Sequence, residues 1–187
     1  VETPTEHELL RRVAAKDRVA FEELYHRYYP RLFGYVFRLT RRADLVEEVL
    51  NDAMLAIWTH AARFAGRSRP STWIFGIAHH KALKALGRLR PHQQATGEEP
   101  RDSDALEPLG PDSLLDRREL RGLLGQALRR LSTEQRAVVE LTYFHDFSYQ
   151  EIAQILDCPV NTVKTRMFHA RRRLRDLLPL FGVSHAG

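Results

Sequence analysis

Two stretches of the 187-residue chain carry side chains whose types and spacing suit chemistry with a polyanion. The first begins at Val160, where Val160, Val163, Met167, Ala170 and Leu174 recur at intervals of three and four. That spacing makes one inward helical stripe and fixes the opposite face. The outward set is Asn161, Thr165, Phe168, His169 and Arg172, with Thr162, Lys164, Arg166, Arg171 and Arg173 around it. Short polar groups near a helix N-terminus can reach base edges, whereas an arginine cluster further along is suited to phosphates. The second stretch runs from Arg63 to Arg88. Phe64 and Trp73 offer apolar or stacking surface, Arg63, Arg67 and Arg69 can meet phosphates, and Ser68 can hydrogen-bond. Lys81, Lys84 and Arg88 fall on one helical face and can track a backbone.

Other chemistries are poorly served. Adjacent His79 and His80 diverge by about 100° on a helix, and no carboxylate accompanies them at ligand spacing, so no metal is expected. With Ser68 and Ser71 nearby, an enzyme remains conceivable, yet no Gly-rich phosphate loop or nucleophile elbow is present, and neither a cofactor nor catalysis is expected. Trp58 and Trp73 also suit core packing, as aromatics at helical spacing usually do.

The elements that hold these residues read as helices throughout, giving an all-α chain. Thr5 with Glu8 opens a first helix, a second runs from Asp17 to Thr40 with Pro30 as a kink, and a third spans Ala43 to Phe64. Ser71 caps a fourth from Thr72 to Leu89. From Pro91 to Asp112 the composition turns to Pro, Gly, Ser and acids, which reads as a flexible acidic linker able to extend about 65–70 Å. Helical pattern resumes near Ser113. Ser132 with Gln135, and Ser148 with Glu151, are capping boxes. The helix from Ser148 to Leu156, the turn Asp157, Cys158, Pro159 and the basic helix from Val160 to Leu178 make a helix-turn-helix, packed through Ile152, Ala153, Ile155 and Leu156. Two small helical domains are expected, at 1–90 and 113–180, joined by 91–112 and followed by a tail at 181–187.

A net charge of +5 fits a polyanionic partner but does not require one. Cys158 is the single cysteine, which excludes an internal disulfide framework and suits a reducing cytoplasm. No apolar run reaches the roughly 18 residues of a membrane span, and Glu2, Glu6 and Glu8 stand where a signal peptide carries positive charge, so neither membrane insertion nor export is expected.

The C-terminal half, with Leu131, Ser132, Gln135 and Arg136, then Phe147 to Ala153, Cys158 to Arg166 and Ala170 to Arg175, resembles the promoter −35-binding domain of extracytoplasmic-function sigma factors. The N-terminal half is similar to the same family's other domain. Asn51, Asp52, Ala53, Met54 and Trp58 resemble the segment that binds the polymerase clamp helices, with Asn51 and Asp52 in place of the usual Gln and Glu. Phe64 to Ser68, Thr72 to Ile74, and Ile77 with Ala78 resemble the −10 recognition and melting segment. Where the family carries a basic residue, Asn and Asp, this chain has His79, His80 and Lys84, which implies an altered −10 preference.

The resemblance implies a transcription initiation factor that binds core RNA polymerase through Glu48, Asn51, Asp52, Met54, Leu55 and Trp58. It implies −10 contacts from Arg63, Phe64, Arg67, Ser68, Trp73, His79, His80, Lys81, Lys84 and Arg88. It implies −35 contacts from Asn161, Thr162, Lys164, Thr165, Arg166, Phe168, His169, Arg171, Arg172 and Arg173, an anti-sigma factor as regulator, and a chain that is a monomer when free. A stand-alone helix-turn-helix regulator is the alternative; it accounts for the C-terminal half but leaves the Asn51, Asp52 segment without a role.

Overall fold

The computed structural model describes residues 4–96 and 125–177, and among them every regular element is a helix. The N-terminal half holds α1 (Glu6–Ala14), α2 (Arg18–Thr40), α3 (Ala43–His60), one 3-10 turn (Ala61–Arg63) and α4 (Pro70–Thr96). After a helical stretch at 125–129 the C-terminal half holds α5 (Thr133–Tyr143), α6 (Tyr149–Ile155) and α7 (Val160–Leu177). Residues 97–112 of the expected linker, the 113–124 segment and the 178–187 end lie outside the described residues.

Local chemistry accounts for most boundaries. Thr5 accepts the Glu8 N–H at 3.2 Å, and the Asp17 carboxylate accepts from Val19 and Ala20, filling donors that the first helical turn leaves open. Ser132 with Gln135 and Ser148 with Glu151 form reciprocal capping boxes. α2 runs through Pro30 to Thr40 and ends where Arg41 takes a left-handed φ of 59°.

Three expected boundaries move. α3 stops at His60, and the 3-10 turn replaces its last residues. α4 begins at Pro70, so Ser71 lies inside the first turn and is not its cap; the Arg69 carbonyl accepts the Trp73 N–H at 3.2 Å instead. Proline suits that opening position because its missing N–H would have had no helical partner. The helix also continues past Leu89 and through Pro91 to Thr96. Only one hydrogen bond, to the carbonyl of Gly87, is forfeited there, and Gly87 is exposed to water that can replace it.

Leu9, Leu10, Leu24, Leu32, Leu50, Ile57 and Ile74 bring α1 to α4 together, and Val138, Leu141, Ile152, Ile155, Val163 and Met167 do so for α5 to α7. These are not two isolated cores: the buried residues form one contiguous cluster. At the junction Phe75 of α4 meets Phe147 at 5.0 Å and His145 at 4.7 Å between ring centroids. Burying an aromatic side chain is worth about 1.5–3 kcal/mol, so this contact alone is a sizeable share of a small domain's stability. Arg136, 6% exposed, forks across the same seam, donating to the carbonyls of Leu128 and Leu131 in its own half and to Leu39 in the other at 2.9 Å. Its rigid planar donors satisfy backbone acceptors at the end of α2 that a point-charge lysine could not reach together.

Candidate nucleic-acid interface

The helix-turn-helix is built from α6 and α7. Ser148 Oγ accepts the Glu151 N–H at 3.3 Å while Glu151 Oε2 accepts from the Ser148 N–H at 2.9 Å, which starts α6. Asp157 adopts a left-handed φ of 48° and the Cys158 N–H returns to the Ala153 carbonyl at 3.0 Å, which closes the turn. Val163, Met167 and Ala170 are buried against α5 and α6, with Val160 and Leu174 partly so. That anchoring leaves Asn161, Lys164, Thr165, Phe168, His169, Arg171, Arg172 and Arg173 exposed, and Thr162 and Arg166 half-buried. Phe168 is 63% exposed, unusual for a large apolar ring with no partner in the chain's core. The Thr165 hydroxyl donates to the Asn161 carbonyl at 2.9 Å, which orients it on the helix surface. Arg171 is positioned from outside the motif: its Nη2 donates to the Tyr143 hydroxyl at 2.8 Å.

On the N-terminal half, Glu48, Asn51, Asp52 and Leu55 form an exposed line along α3, with Leu55 64% exposed. Met54 does not belong to it. It is 4% exposed and packs in the core, because a residue two places from Asp52 turns to the opposite side of the helix. Trp58 is half-buried, its ring 5.0 Å from Phe21 and beneath the Lys16 ammonium. Beside this line, on α4, stand Lys81, Lys84 and Arg88; Lys81 lies 3.5 Å from Asp52, and Arg88 pairs with Glu48.

The loop ahead of α4 bends at Gly66, whose φ of 67° suits a residue without Cβ. Arg63 and Arg67 are exposed on it, and Phe64 is half-buried between His7 and Trp73, whose ring is 5.5 Å away. Phe64 therefore backs the Trp73 ring. Ser68, Trp73, His80, Lys81 and Lys84 line an open pocket of about 550 Å³, large enough for a nucleobase.

The two histidines part company. His80 is exposed, its Nδ1 2.7 Å from the Gly76 carbonyl. His79 is 4% exposed and its Nδ1 bonds the Tyr35 hydroxyl at 2.8 Å, so the expected promoter contact is closed to it in this arrangement. Burial first, then the charges of His80 and Arg166, push its pKa down to about 4. Among the described residues no three His, Cys, Asp or Glu side chains gather to hold a metal.

Thr72, which falls within the segment that resembles the −10 motif, lines the pocket, as does His60. Sequence reasoning missed Gln154, which arrives from α6 in the other half. No local pattern could have signalled Gln154, because its place depends on how the halves pack.

Comparison with known families matches residues 24–91 to Sigma-70 region 2 and residues 121–174 to Sigma-70, region 4. Among curated proteins the chain is 30% identical over 183 residues to the RNA polymerase sigma-H factor of Pseudomonas aeruginosa, covering 94% of this chain and 95% of that one. It is 31% identical over 168 residues to the ECF RNA polymerase sigma factor RpoE of Cereibacter sphaeroides, covering 86% and 87%. Among solved structures, the sigma factor RpoE of Bartonella quintana, in complex with the anti-sigma factor NepR, superposes with a TM-score of 0.72 at 28% identity, over 85% of this chain and 96% of that one. CnrH, solved with the cytosolic domain of CnrY, shares the fold with a TM-score of 0.67 at 23% identity, over 94% and 97%.

Proposed function

Since this chain belongs to the extracytoplasmic-function sigma factors, which direct core RNA polymerase to promoters and start transcription, we propose a division of that task among its surfaces. Core polymerase docks on the exposed α3 line of Glu48, Asn51, Asp52 and Leu55, with Trp58 at its end. The −10 element is opened and held by the loop and pocket of Arg63, Arg67, Ser68, Trp73, His80, Lys81, Lys84 and Arg88, with Phe64 supporting the Trp73 ring. Extruding a base costs a few kcal/mol in lost stacking and pairing, which a pocket with an aromatic wall and cationic rim offsets. α7 reads the −35 element through Asn161, Thr162, Lys164, Thr165, Arg166, Phe168 and His169, while Arg171, Arg172 and Arg173 supply phosphate affinity.

The observation that carries this division is that the α3 line with Glu48 and Asp52 and the α4 line with Lys81, Lys84 and Arg88 lie side by side, one acidic and one basic, within the region 2 match. A stand-alone regulator has no use for that half, and the match over residues 24–91 removes the reason to consider one. The family is one of transcription initiation factors; nucleotide chemistry belongs to the polymerase, and this chain contributes recognition and opening. Its place of action is the cytoplasm, and its regulator an anti-sigma factor, by analogy with the RpoE that was solved bound to NepR.

Transcription with core polymerase from a randomised promoter library, followed by sequencing of the starts, tests the assignment. Defined −35 and −10 preferences that appear only when both chain and core are present support it. Starts independent of the chain overturn it.

A further inference from the structure

Glu151 uses its two carboxylate oxygens in different halves of the molecule. Oε2 accepts from the Ser148 N–H at 2.9 Å and from the Ser148 hydroxyl at 2.8 Å, completing the capping box of α6. Oε1 instead lies 3.1 Å from Arg69 Nη1 and 3.4 Å from Thr72 Oγ1, at the head of α4. An anionic oxygen thus rests between a guanidinium and a hydroxyl, immediately beside the pocket that Ser68, Trp73 and Lys81 line and that Gln154 of the same helix α6 walls. A phosphodiester oxygen asks for the same donors, and arginine with a hydroxyl is a common way to meet it.

We propose that Arg69 and Thr72 form a phosphate-binding site for single-stranded promoter DNA, and that Glu151 occupies this site in the free chain. DNA and α6 then compete for the same donors. Thr72 is 2% exposed while α6 is in place, so its hydroxyl reaches a phosphate only after α6 leaves. The separation of the promoter elements demands the same departure. A compact chain of this length has a radius of gyration of about 16 Å, roughly 40 Å across, whereas two elements about two helical turns apart on DNA are separated by roughly 70 Å. The carboxyl group is suited to the part: burial alone would raise its pKa, but the Ser148 N–H and hydroxyl and the Arg69 charge outweigh that and hold it below the usual range, so it stays anionic.

The inference rests on the assignment of the −10 surface above, and the test separates the two. The full chain is titrated with a fluorescein-labelled 12-nucleotide single-stranded DNA of mixed sequence at several salt concentrations. Glu151→Gln keeps the capping box, which accepts Gln at this position, and should bind about two- to fivefold more tightly, the range of an exposed ion pair. Arg69→Ala in the same background should remove that gain and flatten the salt slope by about 0.7 for the lost phosphate contact. A second measurement needs no variant: hydrogen exchange of the parent chain at saturating DNA should accelerate at α6 amides and slow in the first turn of α4. Unchanged affinity of Glu151→Gln, or unchanged exchange at α6, overturns the proposal. If either occurs while the chain still directs core polymerase to promoters, only this site is lost. If the DNA results hold while the chain fails to direct core, the site stands and the promoter assignment falls.

Discussion

Arg38 of α2 and Glu140 of α5 meet 2.5 Å apart across the seam between the halves, with Glu140 fully buried and the Arg38 side chain 22% exposed. The Arg38 guanidinium also lies 4.8 Å from the centre of the Phe144 ring. Taking a carboxylate out of water is costly, and the Arg38 charge opposite it offsets part of that cost. Arg38→Met should therefore cost about 3–5 kcal/mol, whereas Arg38→Met with Glu140→Leu should recover most of that loss, because the buried carboxylate is removed along with the Arg38 charge. Urea midpoints of the single and double variants check this; equal destabilisation by both would show that the charge is not what the seam depends on.

The same seam makes stability depend on pH in a stated direction. His79 and His145 are both held near pKa 4, below the usual 6.5, chiefly by burial and further by the charges of His80 and Arg166 for the first and Arg38 and Arg31 for the second. Tyr35 bonds the first ring and meets the second edge-on, at 5.8 Å between centroids. Neutral rings are favoured in the packed state, so that contribution is complete above pH 6.5 and is lost as pH falls from 6.5 toward 4. Each ring should contribute a slope of roughly 1.4 kcal/mol per pH unit within that window. Denaturation between pH 4 and 8 measures it, and His145→Phe should flatten the curve by about half.

Asp52 and Met54 lie two residues apart in the expected polymerase segment, yet their substitutions should fail in different ways. Asp52→Arg, on the exposed face, should weaken binding to core polymerase by about 2 kcal/mol or more while helicity and the urea midpoint stay close to the parent's. Met54→Ala removes buried volume and should cost about 2–5 kcal/mol of stability, with core affinity falling only through the folded fraction. Fluorescence titration against core, beside urea denaturation, distinguishes the outcomes. A Met54→Ala chain that is fully folded but blind to core would place Met54 at the interface after all.

On α7, specificity and affinity should separate along the face that Val163, Met167 and Ala170 fix. Lys164→Ala or Thr165→Ala should relax preference at one or two −35 base pairs by about 1–3 kcal/mol. Arg171→Ala or Arg173→Ala should weaken all sequences alike and reduce the salt slope by about one. Tyr143→Phe should produce a milder form of the Arg171→Ala effect, since the hydroxyl that holds Arg171 is gone but its charge remains. Titrations of promoter variants at two salt concentrations check the set. Base-specific loss from Arg173→Ala with uniform loss from Lys164→Ala would mean that the helix enters the groove in another orientation.

Short-range chemistry makes much of this legible in the sequence. A capping box is written in four consecutive residues, so Ser132 with Gln135 and Ser148 with Glu151 can be read from the chain alone. Helical periodicity by itself faces Val163, Met167 and Ala170 inward and Lys164, Thr165 and Phe168 outward. The same periodicity cannot say what lies opposite a buried face, and there the tertiary structure decides. His79 is expected as a DNA contact because it stands where the resembling family carries a basic residue; in the fold it is buried, and Tyr35, 44 residues away, supplies its hydrogen bond. Met54 lies within a motif whose resemblance suggests contact, but the core needs that side of α3. The seam itself, where Arg136 reaches the end of α2 and Glu151 reaches Arg69, joins residues about 80 to 100 positions apart. Contacts of that range leave no periodic trace in one chain, because each partner alone reads as an ordinary exposed charge, and only the packing of α5 and α6 against α2 and α4 makes them meet.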